Sequence, residues 1–348
     1  MATITEQIEE IEATLRKTPH HKATNGFIGA MRAKIARLKD KEIESSNKSG
    51  GGGGGGFTVK KQGDATIVLV GPPSAGKSTL INLLTNAESK VAPYAFTTVT
   101  VIPGMFKYKE AYIQMLDIPG LIEGARQGKG RGREVLSVAR GADLLIIMTD
   151  IQRLERIAKM VEELEKAGIR INKTKPSVLI EKKVSGGLNI HSNIKQEFDN
   201  ETVKGIAREY GIKSGDISIK EKLSINRLFD SFSVNRVYIP AIFVVNKADI
   251  SQPKANDNYV YISAKNGMGI DNLIASIWKE MKFVTVKIIN GSLIMKDGDS
   301  LNDVATKIGS DFSQNVKLAK IWGSGALFPG QEVSLSTQVK DGMEIHFL

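Results

Sequence analysis

The chain has 348 residues, of which 41% are hydrophobic and 25% charged, with no cysteine. That composition belongs to a globular protein of about two or three domains and excludes disulfides, thiolate metal sites and a cysteine nucleophile. No apolar run approaches the roughly 18 residues of a membrane span, and Glu6, Glu9 and Glu10 break any leader pattern, so a cytoplasmic protein with no membrane partner is expected.

The net charge is +10, from 48 basic and 38 acidic residues. It is spread unevenly: +2 over residues 1–49, +3 over 50–169, +5 over 170–236, +1 over 237–282 and −1 over 283–348. A basic middle suits a polyanionic partner such as RNA, and an ordinary solvated surface equally. His20, His21, His191 and His346 are scattered without ligand spacing.

Ile4, Ile8, Ile11 and Leu15 form one helical stripe over residues 3–18, and Phe27, Ile28, Met31, Ile35 and Leu38 form another within 25–45. Thr18-Pro19 breaks the chain between them, which predicts an antiparallel helical hairpin over 1–49, too short for its own core. Gly50 to Gly56 read as a flexible linker.

Strands and helices then alternate. Strands are predicted at 66–70, 101–108, 111–116, 144–148, 239–245 and 259–262, and helices at 77–86, 131–141, 151–167 and 269–281, the pattern of an α/β fold on a parallel sheet. Between the first strand and first helix lies Gly71-Pro-Pro-Ser74-Ala75-Gly76-Lys77-Ser78-Thr79, a phosphate loop. Its glycines let backbone wrap a polyphosphate, the helix N-terminus turns N–H groups toward negative charge, Lys77 neutralises the outer phosphates and the Ser78 hydroxyl is placed for Mg²⁺. Asp117-Ile-Pro-Gly120 follows strand 111–116, putting a carboxylate where it can hold the Mg²⁺ water shell and the Gly120 N–H where it can meet a terminal phosphate.

Asn246-Lys247-Ala248-Asp249 and Ser263-Ala264-Lys265 also each follow a strand, as base-reading loops would. An Asp carboxylate accepts the ring N–H and exocyclic amine of guanine, and adenine offers neither donor there. The ordered set predicts a GTP/GDP site.

Phe96-Thr97-Thr98, the glycine-rich run from Asp117 to Arg133 and the glycines before residue 57 make the chain resemble the developmentally regulated GTP-binding proteins, within the Obg superfamily of translation-factor-class GTPases, over essentially its whole length. The resemblance implies that Thr98, with Thr97 as the alternative, is the switch hydroxyl closing on Mg²⁺ when a third phosphate is present. Lys77, Thr98 and Gly120 then become the expected catalytic groups, and Ser78, Thr98 and Asp117 the metal set. Leu121 stands where Ras-like enzymes carry the glutamine that orients water, which predicts slow intrinsic hydrolysis completed by another group, a monovalent cation or a partner. Some relatives use K⁺ with an asparagine in the phosphate loop. Here that position is Ser74, so K⁺ stays a candidate only. Arg126, Lys129, Arg131 and Arg133 lie in the second switch, either against a partner or as a solvated basic loop.

From Asp117 to Asn246 is 129 positions. A minimal fold needs about 60 there, leaving about 70 for an inserted domain at 170–236 that interrupts the nucleotide domain (57–169 and 237–282). Val178–Glu181 reads as a strand and Glu197–Tyr210 as a helix within it. The family likeness implies a small α+β insert similar to a ribosomal-protein domain.

Residues 283–348 read as a separate module: an alternating strand from Phe283, a hairpin signal at Asn290-Gly291, a helix capped by Ser300, and strands near 317–322 and 344–347. With Trp322-Gly323 and Asp341-Gly342-Met343 it resembles the TGS domain, a β-grasp module. The whole predicts a Mg²⁺-dependent GTPase switching on the ribosome or translation machinery, with RNA or a regulatory protein as partners and no DNA. The alternative is an RNA- or ribosome-binding adaptor in which nucleotide is mainly structural.

Overall fold

The computed structural model describes residues 3–19, 24–48, 63–85, 92–93, 100–118, 131–251, 256–289 and 291–348. They fall into two compact units, one drawn from Met1–Gly56 and Leu164–Tyr238, the other from Phe57–Glu163 and Ile239–Leu348. The glycine run at 50–56 lies outside the described residues. Among the described residues no helix is long and apolar enough to cross a membrane.

In the second unit, β1 (Ala65–Val70), β2 (Ala92–Pro93), β3 (Thr100–Tyr108), β4 (Ala111–Asp117) and β5 (Leu144–Asp150) join strands Ala241–Asn246 and Tyr259–Tyr261 in one seven-stranded sheet. From one edge the order is 259–261, 241–246, β5, β1, β4, β3, β2. β1 runs parallel to both β4 and β5, whereas β3 is antiparallel to β4. All residues of β1 and β5 are buried, because a parallel sheet covered on both faces leaves neither side of a strand wet. Ile67, Leu69, Ile113, Met115 and Ile146 pack with Leu80 and Ile81 of helix Lys77–Thr85 and with Leu273 and Ile277 of helix Ile270–Met281. The chain leaves β1 for one neighbour and later passes to the other, so a crevice opens beyond its C-terminal end, where such sheets take ligands.

Two elements differ from expectation. The strand predicted over 239–245 is two strands, Val237–Ile239 and Ala241–Asn246. Pro240, which lacks an N–H, separates them and contributes only its carbonyl, to Leu145 N at 3.0 Å. The helix predicted from 151 begins at Arg156, because the Asp150 carboxylate holds the intervening residues in a turn.

The C-terminal five-stranded sheet has the order 291–296, 283–288, 344–347, 318–322, 331–334. Ser300 closes a capping box with Asp303 at the start of helix Leu301–Ile308, whose Leu301 and Val304 join Val286, Ile321, Met343 and Ile345 in the module's own core. Phe283 and Ile294 belong instead to the core of the large sheet, with the Trp278 ring packed at a tilt against Phe283. Lys296 pairs with Asp143 at 3.0 Å and Lys307 with Asp64 at 2.5 Å, pinning the module beside the start of β1.

The other unit sets helices Ile4–Lys17 and Asn25–Lys48 with a three-stranded sheet, order 178–182, 215–219, 188–192, and helices Asn200–Glu209 and Ile225–Phe232. Gly29 lets two helices approach closely: a Cβ there would sit 2.8 Å from the Thr202 methyl. Ala33 joins Val203, Ile206, Leu228 and Phe229 in one core. Arg236 donates to Asp40 at 2.6 Å and to Asp230 at 2.9 Å. Arg170 also grips Asp230, at 2.6 and 2.7 Å, and the Ser233 hydroxyl donates to Asp40 at 2.6 Å. The short hairpin thus finds its core against the insert.

Candidate nucleotide-binding site

The loop after β1 is shaped by what stands next to it. A Cβ on Gly71 would lie 2.3 Å from the Met148 carbonyl oxygen, and one on Gly76 would lie 2.1 Å from Asn246 Nδ2. Gly76 also adopts φ 94°, in the left-handed region. Lys77, at the first turn of the following helix, is 7% exposed and donates to the carbonyls of Gly71 at 3.0 Å and Pro72 at 3.2 Å. Its ammonium lies 3.7 Å from Asp117 Oδ1.

Asp117 ends β4 beside β1. Ser78 donates its hydroxyl to Asp117 Oδ2 at 2.8 Å, while buried Oδ1 has no hydrogen-bond partner. A buried carboxylate oxygen without a donor is costly, and a hydroxyl beside a carboxylate is a hard-oxygen donor set of the kind Mg²⁺ takes. Among the described residues no group of three or more His, Cys, Asp or Glu is gathered for a metal, so phosphate oxygens and water would have to complete the shell. Ser78 and Asp117 therefore fit Mg²⁺.

At the other end of the crevice Asn246 ties two loops together. Its Nδ2 donates to the Ala75 carbonyl at 2.8 Å, and its Oδ1 accepts the Ala264 N–H at 2.9 Å. Next to it Lys247 takes φ 60°. A cavity of about 370 Å³ is lined by Ser74, Gly76, Thr79, Asn246, Lys247, Asp249, Ile250, Ser263, Ala264 and Lys265. Asp249 and Lys265 are exposed at its walls, and Ser263 is buried with an unpartnered hydroxyl. The structure thus brings together every expected residue of the phosphate and base-reading loops. Thr97, Thr98, Gly120, Leu121, Arg126 and Lys129 lie outside the described residues, and of Arg131 and Arg133 only the backbone, in helix Arg131–Arg140, is described.

Sequence reasoning passed over Asp150 and Arg153. The Arg153 hydrogen bond holds the Asp150 carboxyl below the ordinary carboxylate range. The signal was present as an acid closing an apolar strand with an arginine three positions on, but it marks no known loop.

Fold and crevice together define a P-loop GTP-binding protein of the translation-factor class with a C-terminal β-grasp module. Residues 66–183 match the family described as 50S ribosome-binding GTPase, 185–283 the C-terminal region of that domain, and 260–348 the TGS domain. An uncharacterized GTP-binding protein of Methanocaldococcus jannaschii is 41% identical, covering 97% of this chain and 91% of its own. Developmentally-regulated GTP-binding protein 1 of Xenopus laevis is 39% identical and protein 2 of Homo sapiens 36%, each covering 96% of both chains. The chain belongs to the developmentally-regulated GTP-binding protein family. Among solved structures, the YchF GTPase of Schizosaccharomyces pombe is similar with a TM-score of 0.45 and 14% identity, over 83% of this chain and 99% of that one.

Proposed function

We propose that this GTP-binding protein hydrolyses GTP to GDP and phosphate and uses the two nucleotide states as a switch on the ribosome, in the cytoplasm. The observation that carries the reading is the convergence of Lys77, Ser78 and the Asp117 oxygen that accepts no hydrogen bond at the mouth of the phosphate loop. Lys77 would neutralise the outer phosphates and the loop N–H groups would bind their oxygens. Bound Mg²⁺, held through Ser78 and Asp117, would supply further neutralisation of charge on the phosphates. Water attacks the γ-phosphorus in line, its oxygen forming the new bond as the bond to the β–γ bridging oxygen breaks; the products are GDP and phosphate.

Asp249 is assigned to the guanine edge, with Asn246, Lys247 and the Ser263–Lys265 loop shaping the pocket. Thr98 and Gly120 are assigned to the third phosphate. The description of the matched GTPase family as ribosome-binding supports the choice of partner. One experiment tests both halves: single-turnover GTP hydrolysis by the full chain with and without ribosomes, and co-sedimentation with ribosomes in a non-hydrolysable GTP analogue against GDP. Tighter association in the analogue and faster hydrolysis on the ribosome are expected. Equal association in both states would replace the switch with an adaptor in which nucleotide is structural.

A further inference from the structure

The turn after β5 carries an ion pair that belongs to none of the nucleotide motifs. Asp150 is 4% exposed. Its Oδ1 accepts the Gln152 N–H at 3.2 Å, and its Oδ2 accepts Arg153 Nε at 3.0 Å together with a second guanidinium N–H. The buried Thr149 hydroxyl donates to the Arg153 carbonyl at 3.0 Å, fixing the turn to the strand from both directions. From there Arg153 Nη2 donates to the Pro73 carbonyl at 3.3 Å, and Lys247 Nζ lies 3.5 Å from the same Asp150 oxygen.

A peptide unit is planar and trans, so a carbonyl and the N–H of the next residue point in opposite directions. Holding the Pro73 carbonyl toward Arg153 turns the Ser74 N–H to the other side. Asn246 does the same two peptide units on, taking the Ala75 carbonyl and turning the Gly76 N–H away. Pro72 and Pro73 have no N–H, so Ser74 supplies the first donor after Gly71. Ser74 also has φ 60°, a conformation that a residue with a side chain keeps only when its surroundings impose it.

The geometry points to Arg153, held by Asp150, as a positioning residue for guanine nucleotide: it aims the Ser74 N–H at the phosphates and, through the oxygen shared with Lys247, ties the phosphate end of the crevice to the base end. This inference rests on the crevice being the nucleotide site and is independent of hydrolysis and of the ribosome.

The test is release of the fluorescent nucleotide mant-GDP from the full chain, chased with unlabelled GDP, in wild type, Arg153→Ala, Arg153→Lys and Asp150→Asn, beside melting of each nucleotide-free protein. Loss of one charge-assisted contact predicts release about tenfold faster in Arg153→Ala at a near-wild-type melting temperature. Arg153→Lys should recover part of the loss, Asp150→Asn should release at least as fast as Arg153→Ala, and the preference for GDP over XDP should be unchanged. Release at the wild-type rate in Arg153→Ala overturns the positioning role alone. So does faster release that only follows a collapse in melting temperature and that Arg153→Lys does not mend. A wild-type chain that takes up no mant-GDP overturns the nucleotide site itself, and this role with it.

Discussion

The two compact units differ in how far their buried carboxylates are satisfied. In the hairpin-and-insert unit, Asp40, Asp230, Arg170 and Arg236 satisfy one another: two carboxylates and two guanidiniums interlock, with Ser233 filling one more acceptor position. In the nucleotide unit Asp150 is likewise closed by Arg153, but Asp117, at the mouth of the phosphate loop, keeps a buried oxygen without a donor. A closed network does the work of joining elements. An open one stores unmet hydrogen-bonding capacity, and that capacity is what a ligand with phosphates and a polar base satisfies.

The closed network should break hardest. Arg236→Ala leaves buried Asp40 with the Ser233 hydroxyl in place of a countercharge and Asp230 with Arg170 alone, and loss of one member of a buried ion group costs about 3–5 kcal/mol. Urea denaturation of the full chain should show that loss, while GDP affinity stays at the wild-type value because no member of the network lines the crevice. A variant folding at wild-type stability would show that these charges do not hold the hairpin.

Lys77→Ala attacks the open network. A hydrogen bond to a charged group is worth about 1.5–3 kcal/mol, so calorimetric GDP affinity should fall by about 100-fold. Here the stability of the other unit should not move. If affinity falls less than tenfold, Lys77 is not the phosphate cation and the contrast between the units loses its chemical basis.

Asp249→Asn is smaller, since the carboxylate stands exposed at the cavity wall. Exchanging an acceptor for a donor should cost GTP about tenfold in competition binding and improve XTP, whose ring now offers the matching acceptor. An unchanged GTP to XTP ratio would remove Asp249 from base reading.

What the sequence made legible, and what it hid, follows the same division. The phosphate loop could be read because its backbone path excludes side chains at Gly71 and Gly76, and β1 and β5 because burial on both faces writes an uninterrupted apolar run. Pro240 was read through because it sits inside such a run. Strand Leu188–Ser192, half exposed and alternating with Asn and His, gave no comparable signal. Asp40 with Arg236 and Arg153 with Pro73 were invisible for another reason: they are 196 and 80 positions apart, and only the folded chain makes them neighbours. Composition fixes neither which acid a buried arginine finds nor which carbonyl a guanidinium reaches.

Between these extremes lies the joint to the C-terminal module. Lys296 is nearly half exposed and meets Asp143, whose other oxygen accepts the Thr66 N–H at the start of β1. Exposed pairs of this kind are worth about 0.2–1 kcal/mol and weaken as salt screens them. Lys296→Ala should therefore lower stability within that range in dilute buffer, and by less in molar salt. The pair sits at the opposite end of β1 from Gly71, and the hydrophobic seating of Phe283 and Ile294 remains, so GDP affinity should not change. A change in GDP affinity in Lys296→Ala would mean that β1 carries strain from the module to the phosphate loop, and the open network would then have a second set of controls at its far end.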